Sequence, residues 1–66
     1  MRLRLNGESI EIEPEITVEA LLARLEIGSR RVAVAVNGQV SPRSEHADRT
    51  LYDGDDVEVI HAVAGG

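Results

Sequence analysis

The stretch that decides the fold is residues 1–13, which read MRLRLNGESIEIE. Apolar and polar residues alternate on both sides of Asn6-Gly7, and such alternation is typical of a strand with one buried face. Two alternating runs joined by Asn-Gly are the strongest short-range indication of a two-residue hairpin. Pro14 should end the second strand because proline has no amide to donate to a ladder. The core face of this hairpin is predicted to carry Leu3, Leu5, Ile10 and Ile12.

A helix is predicted over residues 17–27. The hydroxyl of Thr17 can accept a bond from an amide of the first turn, and Ile16 and Leu21 occupy the two positions of a hydrophobic staple. Gly28 suits the left-handed residue that follows a helix end. One apolar stripe with the spacing i, i+3, i+4 and i+7 should face the core: Val18, Leu21, Leu22 and Leu25.

The next strand is predicted at residues 32–36, which read VAVAV. Because this run is apolar throughout, it should lie in the interior of a sheet. Asn37-Gly38 predicts a second tight turn into a short strand at residues 39–41, which Pro42 would stop.

The remainder of the chain is predicted to be an irregular polar connection at residues 43–52, with Leu51 as its core anchor. Asp53-Gly54-Asp55 should form a turn. The last strand should then follow at residues 57–63.

These elements predict an α+β fold, in which one helix covers one face of a single mixed sheet of four to five strands. A β-grasp arrangement, with the first and last strands parallel and adjacent, satisfies this order of elements. The whole chain, residues 1–66, should form one such domain. The predicted core consists of Leu3, Leu5, Ile12, Leu21, Leu25, Val34, Val36, Val57 and Val59.

Composition restricts the function. The chain has 66 residues, no cysteine and a formal net charge of −5, so a disulfide and a thiolate zinc site are excluded. The acidic surface disfavours nucleic-acid binding. With no apolar run long enough to span a bilayer and no secretion signal, we expect a cytoplasmic protein that does not bind membranes.

Three segments carry a resemblance to a known family. They are VAVAVNGQVSPRSE at residues 32–45, Asp53-Gly54-Asp55 before the last strand, and the closing Gly65-Gly66. Together they resemble the ThiS family of ubiquitin-like β-grasp proteins, which are the sulfur carriers of thiamine biosynthesis. The resemblance covers essentially the whole chain. Where the family often has an aromatic residue after the Ser-Glu pair, this chain has His46.

The resemblance implies that Gly66 is the reactive residue. Its carboxylate would be adenylated by an E1-like (ThiF-type) enzyme, converted to a thiocarboxylate, and used to donate sulfur to thiazole synthase (ThiG-type). The chain has no P-loop and no glycine-rich dinucleotide motif, so ATP would be used by the partner enzyme. We therefore expect a carrier protein without a cofactor of its own, rather than an enzyme.

The tail and one face of the sheet are the predicted partner-binding surface. Glycine has no Cβ, so Gly65-Gly66 can thread a narrow channel, and we expect the tail to be mobile from about residue 63. Val57 and Val59 should face the core, which places Ile60 on the open face as part of an apolar docking patch. The alternative is that these residues are ordinary surface aliphatics. The predicted partner-binding residues are Ala33, Ala35, Ile60, Ala62, Val63, Ala64 and Gly65.

Other functions share the same features. The small subunit of molybdopterin synthase has this fold and tail but is disfavoured by the short length of this chain. A ubiquitin-like modifier of other proteins is a second alternative, although a chain without lysine could not build lysine-linked chains of itself. No metal site is predicted, because His46 and His61 lie far apart in the sequence. The acidic residues at 53–56 lack the calcium loop of twelve residues.

Overall fold

A computed structural model describes residues 1–27 and 32–61, which form five strands, one α-helix and one 3-10 turn. The strands lie side by side in the order β2-β1-β5-β3-β4. β1 and β5 are parallel, and every other neighbouring pair is antiparallel. This arrangement confirms the predicted mixed sheet with parallel first and last strands. The elements are β1 (Arg2–Leu5), β2 (Glu8–Glu11), α1 (Val18–Arg24), β3 (Val32–Val36), β4 (Gln39–Ser41), the 3-10 turn (Arg43–Glu45) and β5 (Asp56–His61).

Both hairpins turn at Asn-Gly, as predicted. Asn6 and Gly7 have φ of 50° and 85°, and Asn37 and Gly38 have φ of 52° and 83°. Two consecutive residues with positive φ define the tight turn whose twist matches that of the flanking strands. Asparagine tolerates this left-handed conformation better than most residues. The hairpin β1-β2 closes at the pair Leu5↔Glu8.

The helix α1 begins where the sequence predicts. The hydroxyl oxygen of Thr17 accepts a hydrogen bond from the amide of Ala20 at 3.1 Å. Val18, Leu21 and Leu22 are buried in the core, and Leu25 is half-buried against it. The predicted apolar stripe therefore faces the sheet.

The end of the helix differs from the prediction. The helix stops at Arg24, and Glu26, with φ of 59°, is the left-handed residue beyond it. The amide of Ile27 donates to the carbonyl of Leu22 at 2.8 Å, which closes the last turn in a Schellman motif. The early reversal lets Ile27 pack against the core. Gly28, the residue expected in this role, lies outside the described residues.

The core lies between α1 and the inner face of the sheet. Six of the nine predicted core residues are buried, whereas Leu5, Ile12 and Leu25 lie half-buried at its margin and keep part of their surface in solvent. Leu51 is fully buried, so its predicted role as anchor of the long connection is confirmed. The buried apolar residues are Leu3, Ile16, Val18, Leu21, Leu22, Val34, Val36, Leu51, Val57 and Val59.

The connection between β4 and β5 is fastened to the start of the helix. The carbonyls of His46 and Arg49 accept hydrogen bonds from the amides of Glu19 and Val18, at 3.0 and 2.9 Å. The amide of Leu51 donates to the carbonyl of Ile16 at 2.8 Å. The first amides of a helix have no partner inside it, so this loop supplies acceptors that the helix itself lacks.

The side chains of two asparagines hold β5 in place. The Oδ1 of Asn6 accepts a hydrogen bond from the amide of Val59 at 2.8 Å, and the backbone amide of Asn6 donates to the carbonyl of Val57 at 2.9 Å. Asn37 Oδ1 accepts the amide of Asp56 at 2.9 Å. Each hairpin turn therefore also binds the strand that lies between the two hairpins.

We predict that Asn6→Gly destabilises the domain by about 1–3 kcal/mol, the usual cost of a partly buried donor left without an acceptor. Glycine retains the positive φ of the turn, so the loss reports the missing Oδ1. The free energy of unfolding should be measured in denaturant. Asn6→Asp, which keeps a side-chain acceptor, should lose less, and an Asn6→Gly variant as stable as wild type would contradict the assignment.

We predict that Leu21→Ala costs about 2–5 kcal/mol, the range for truncating a buried leucine, because Leu21 is fully buried. Small domains hold only about 5 kcal/mol in total, so this variant should be largely unfolded by circular dichroism at 37 °C. Val40→Ala is the matched control, since Val40 is 74% exposed and its truncation should change the stability by less than about 0.5 kcal/mol. Equal losses in the two variants would contradict the predicted core.

Candidate functional site

The face of the sheet opposite the helix carries an apolar patch. Ile60 of β5 lies opposite Ala33 of β3, and Ala35 of β3 lies opposite Val40 of β4. Ile60 and Val40 are 63% and 74% exposed, which is high for large aliphatic side chains. We call these four residues the apolar patch.

The patch follows from the alternation of the two central strands. In β5, Val57 and Val59 are buried while Glu58 and Ile60 are exposed, so the predicted phase of this strand is confirmed. The small alanines belong to β3, which lies between the strands that carry Ile60 and Val40. Three of the predicted partner-binding residues, Ala33, Ala35 and Ile60, are therefore brought together.

Val40 was not predicted as part of this surface. Its position follows from the two-residue turn at Asn37-Gly38, which pairs Val36 with Gln39 and then Ala35 with Val40. Because directly opposed residues of two strands point to the same face, the turn type alone could have placed Val40 beside Ala35.

The other half of the open face is charged. Arg2 and Glu11 form an exposed ion pair of 2.8 Å, and such pairs contribute little to stability. Arg4 lies between Ser9 of β2 and Asp56 of β5. Glu58 stands opposite Ala35 and so borders the apolar patch, and no ion pair joins it to another described residue. The open face thus presents an apolar area with a carboxylate at its margin.

The tail continues from the central strand of the sheet. β5 is described up to His61, between β1 and β3. The predicted reactive residue Gly66 and the predicted contact residues Ala62, Val63, Ala64 and Gly65 lie outside the described residues, as does the predicted mobility from residue 63. Ile60 is two residues before the first of them, so the apolar patch extends to the root of the tail.

His46, at the position where the family often has an aromatic residue, is an interior residue. It is 2% exposed, and its Nε2 donates to the carbonyl of Ser41 at 2.9 Å. This bond fastens the 3-10 turn to the end of β4. His61 is exposed at the end of β5, so the two histidines occupy different environments.

The acidic turn before β5 uses its carboxylates within the fold. Asp53 Oδ1 accepts the amide of Arg2 at 2.7 Å, and Asp55 Oδ2 accepts the amide of Tyr52 at 2.8 Å. Among residues 1–27 and 32–61, no three His, Asp or Glu side chains are grouped as metal ligands would be. Nor does this part of the chain contain a helix with the length and apolarity needed to cross a membrane.

The fold and the open face define the class of protein. A mixed five-stranded sheet with parallel first and last strands, covered by one helix, is a β-grasp domain, and this one continues from its central strand into a sequence ending in Gly-Gly. The model of the ThiS family matches residues 3–66. The chain therefore belongs to the ThiS family.

Solved structures and curated relatives agree with this membership. A crystal structure of the thiamine biosynthesis protein ThiS from Geobacter metallireducens superposes with a TM-score of 0.88 at 32% identity, covering all of both chains. The sulfur carrier protein ThiS of Escherichia coli is 30% identical over the full length of both chains.

Two of the similar proteins are much longer. A thiazole synthase of Paramagnetospirillum magneticum is 41% identical over 66 residues, and one of Magnetococcus marinus is 36% identical over the same length. The chain spans 20% of the length of each of these synthases.

Proposed function

We propose that this protein is a sulfur carrier that supplies sulfur for the thiazole moiety of thiamine, with the carboxylate of Gly66 as its working group. The observation that carries the proposal is the similarity to the Escherichia coli sulfur carrier over the full length of both chains. The shared β-grasp fold of the ThiS structure from Geobacter metallireducens supports it. In this role the protein is a co-substrate of partner enzymes and has no catalytic centre of its own.

The proposed chemistry begins with activation of the tail. A carboxylate is a poor electrophile, so an adenylating enzyme must first join it to AMP, releasing pyrophosphate from ATP. A sulfur nucleophile then displaces AMP and leaves a thiocarboxylate, in which one sulfur replaces one oxygen. Because the sequence contains no nucleotide-binding motif, we assign the adenylation to a partner enzyme. The lack of cysteine is consistent with sulfur carried on the terminal carbonyl.

Thiazole synthase is the proposed acceptor of the sulfur. Two proteins with that name contain a stretch similar to the whole of this chain. A carrier-like segment within the same polypeptide as a synthase supports the idea that the two act together.

We propose that the apolar patch docks these partners and orients the tail. An exposed apolar area on a small protein often marks a binding surface, and here it adjoins the root of the tail. Glu58 at the margin of the patch favours a partner with an arginine or lysine beside its own apolar residues. A charge introduced into the patch would be costly to bury in the complex but would remain in water in the free protein.

We predict that the protein gains sulfur at Gly66. When it is incubated with the adenylating enzyme of its source organism, ATP and a sulfur donor, its intact mass should rise by one oxygen-to-sulfur exchange, which fragmentation should locate on the last residue. A chain with a C-terminal carboxamide is the matched control, because it has the same fold and no carboxylate to activate. Sulfur on any other residue, or on the amidated control, would refute the proposal.

We predict that Ile60→Glu and Val40→Glu each weaken binding to the adenylating enzyme by about tenfold or more, as expected for residues at the centre of an interface. Their denaturant midpoints should match that of the wild type, because both side chains are already exposed. Tyr52→Glu is the control, since Tyr52 is 63% exposed and lies outside the patch. Binding unchanged in both patch variants, or weakened equally in the control, would show that the patch does not dock the enzyme.

A further inference from the structure

The polar backbone groups of β5 face its two neighbours in alternation. Both the amide and the carbonyl of Asp56 bond to Asn37, at the β3 side of the strand. The carbonyl of Val57 and the amide of Val59 bond to Asn6, at the β1 side. The odd-numbered residues of β5 therefore direct their backbone groups toward β1.

Asn6 forms the last rung of the ladder between β1 and β5. In a parallel ladder, a residue donates its amide to a carbonyl of the neighbouring strand. Its own carbonyl accepts a hydrogen bond from the amide that lies two positions further along that strand. Asn6 makes both bonds, but the acceptor is its side-chain Oδ1, since its φ of 50° turns the chain toward β2. The side chain thus replaces one strand residue, and no residue of β1 lies beyond it.

The next rung has no occupant in the described part of the chain. By the same alternation, the carbonyl of Val59 and the amide of His61 face the β1 side, where β1 has already ended at Leu5. His61 lies opposite Val32 in β3, but as an odd-numbered residue it does not direct its amide there. Outside the strand ladders, neither group bonds to any other residue among 1–27 and 32–61. Within the described residues, β5 therefore has a short free edge although it is the central strand.

We propose that this free edge binds an extended segment of thiazole synthase by strand addition, in line with β1 and parallel to β5. This inference rests on the proposed function. The free carbonyl of Val59 and amide of His61 are the pair that one residue of a parallel strand would bond. Unpaired edges of this kind are templates for strands of other chains.

The surroundings of the edge support this occupant. The corner where β1 ends is formed by Gly7, and a Cβ built there would meet no atom within 4 Å. An incoming backbone therefore has space at the corner. The edge ends at His61, which directly precedes in sequence the tail that the synthase must reach in the proposed function. Ile60, between the two edge residues, belongs to the apolar patch and would contact the same partner.

Amide hydrogen exchange gives the direct test. In the free protein, the amide of His61 should exchange much faster than that of Val59, which is bonded to Asn6. On saturation with thiazole synthase of the source organism, exchange at His61 should slow by at least about tenfold. Unchanged exchange at His61 in the complex would overturn the proposal, as would slowing with the adenylating enzyme but not with the synthase.

Substitution by proline tests the contribution of the bond to affinity. His61→Pro removes an amide that the sheet does not use, so the denaturant midpoint should change little, and affinity for thiazole synthase should fall about three- to tenfold below that of His61→Ala. Ser9→Pro is the matched control, because Ser9 faces Arg4, whose amide bonds to Asp55 on the other side. The amide of Ser9 therefore also points away from the sheet, at the outer edge formed by β2.

Each variant outcome decides the question. Equal affinities of His61→Pro and His61→Ala, or an equal loss in Ser9→Pro, would overturn the proposal. If His61→Pro does not fold, the exchange measurement decides. Thiocarboxylate formation on the wild-type chain tests the carrier function separately. The proposed strand addition can therefore be refuted while the carrier function is retained.

Discussion

The structure depends on the insertion of β5 between the two hairpins. Without this strand, β1-β2 and β3-β4 would be separate two-stranded ribbons, and such hairpins are marginally stable at best in water. β5 joins them through its parallel ladder with β1 and its antiparallel ladder with β3. Its inner side chains, Val57 and Val59, complete the core, and its outer side chains, Glu58 and Ile60, form part of the open face.

The elements that obey short-range rules could be predicted from the sequence. Alternation on both sides of Asn6-Gly7 and Asn37-Gly38 was sufficient to predict two hairpins. The threonine cap and the apolar stripe that follows it were sufficient to predict the helix. The end of the helix could not be predicted, because the position of the left-handed residue depends on the packing of Ile27 against the core. Glu26 adopts that conformation although glycine would do so at lower cost.

The candidate site was predicted in part for the same reason. Ile60, Ala33 and Ala35 follow from the phase of two strands, whereas Val40 requires the register across a turn as well. The buried side chain of His46 is hydrogen-bonded to the carbonyl of Ser41, the last residue of β4. This contact could not be predicted from the spacing of apolar residues. Likewise, the partner of Asn6 is 53 positions away in the chain. Asn-Gly thus predicts a turn from local geometry, while the second role of the asparagine arises only in the assembled sheet.

The place of β5 in the sheet also constrains how the protein can fold during synthesis. β5, which joins the two hairpins, is synthesised after the other four strands. Until then the apolar faces of the amino-terminal hairpin and the helix lack the strand that completes their core. A ribosome-bound chain that lacks residues 56–61 has no continuous sheet on which to close a core. Contacts between the two ends of a chain also form slowly, because the loop between them must close first. The sheet therefore cannot be completed before residues 56–61 have left the ribosome, and the segment proposed to carry sulfur directly follows them in the sequence.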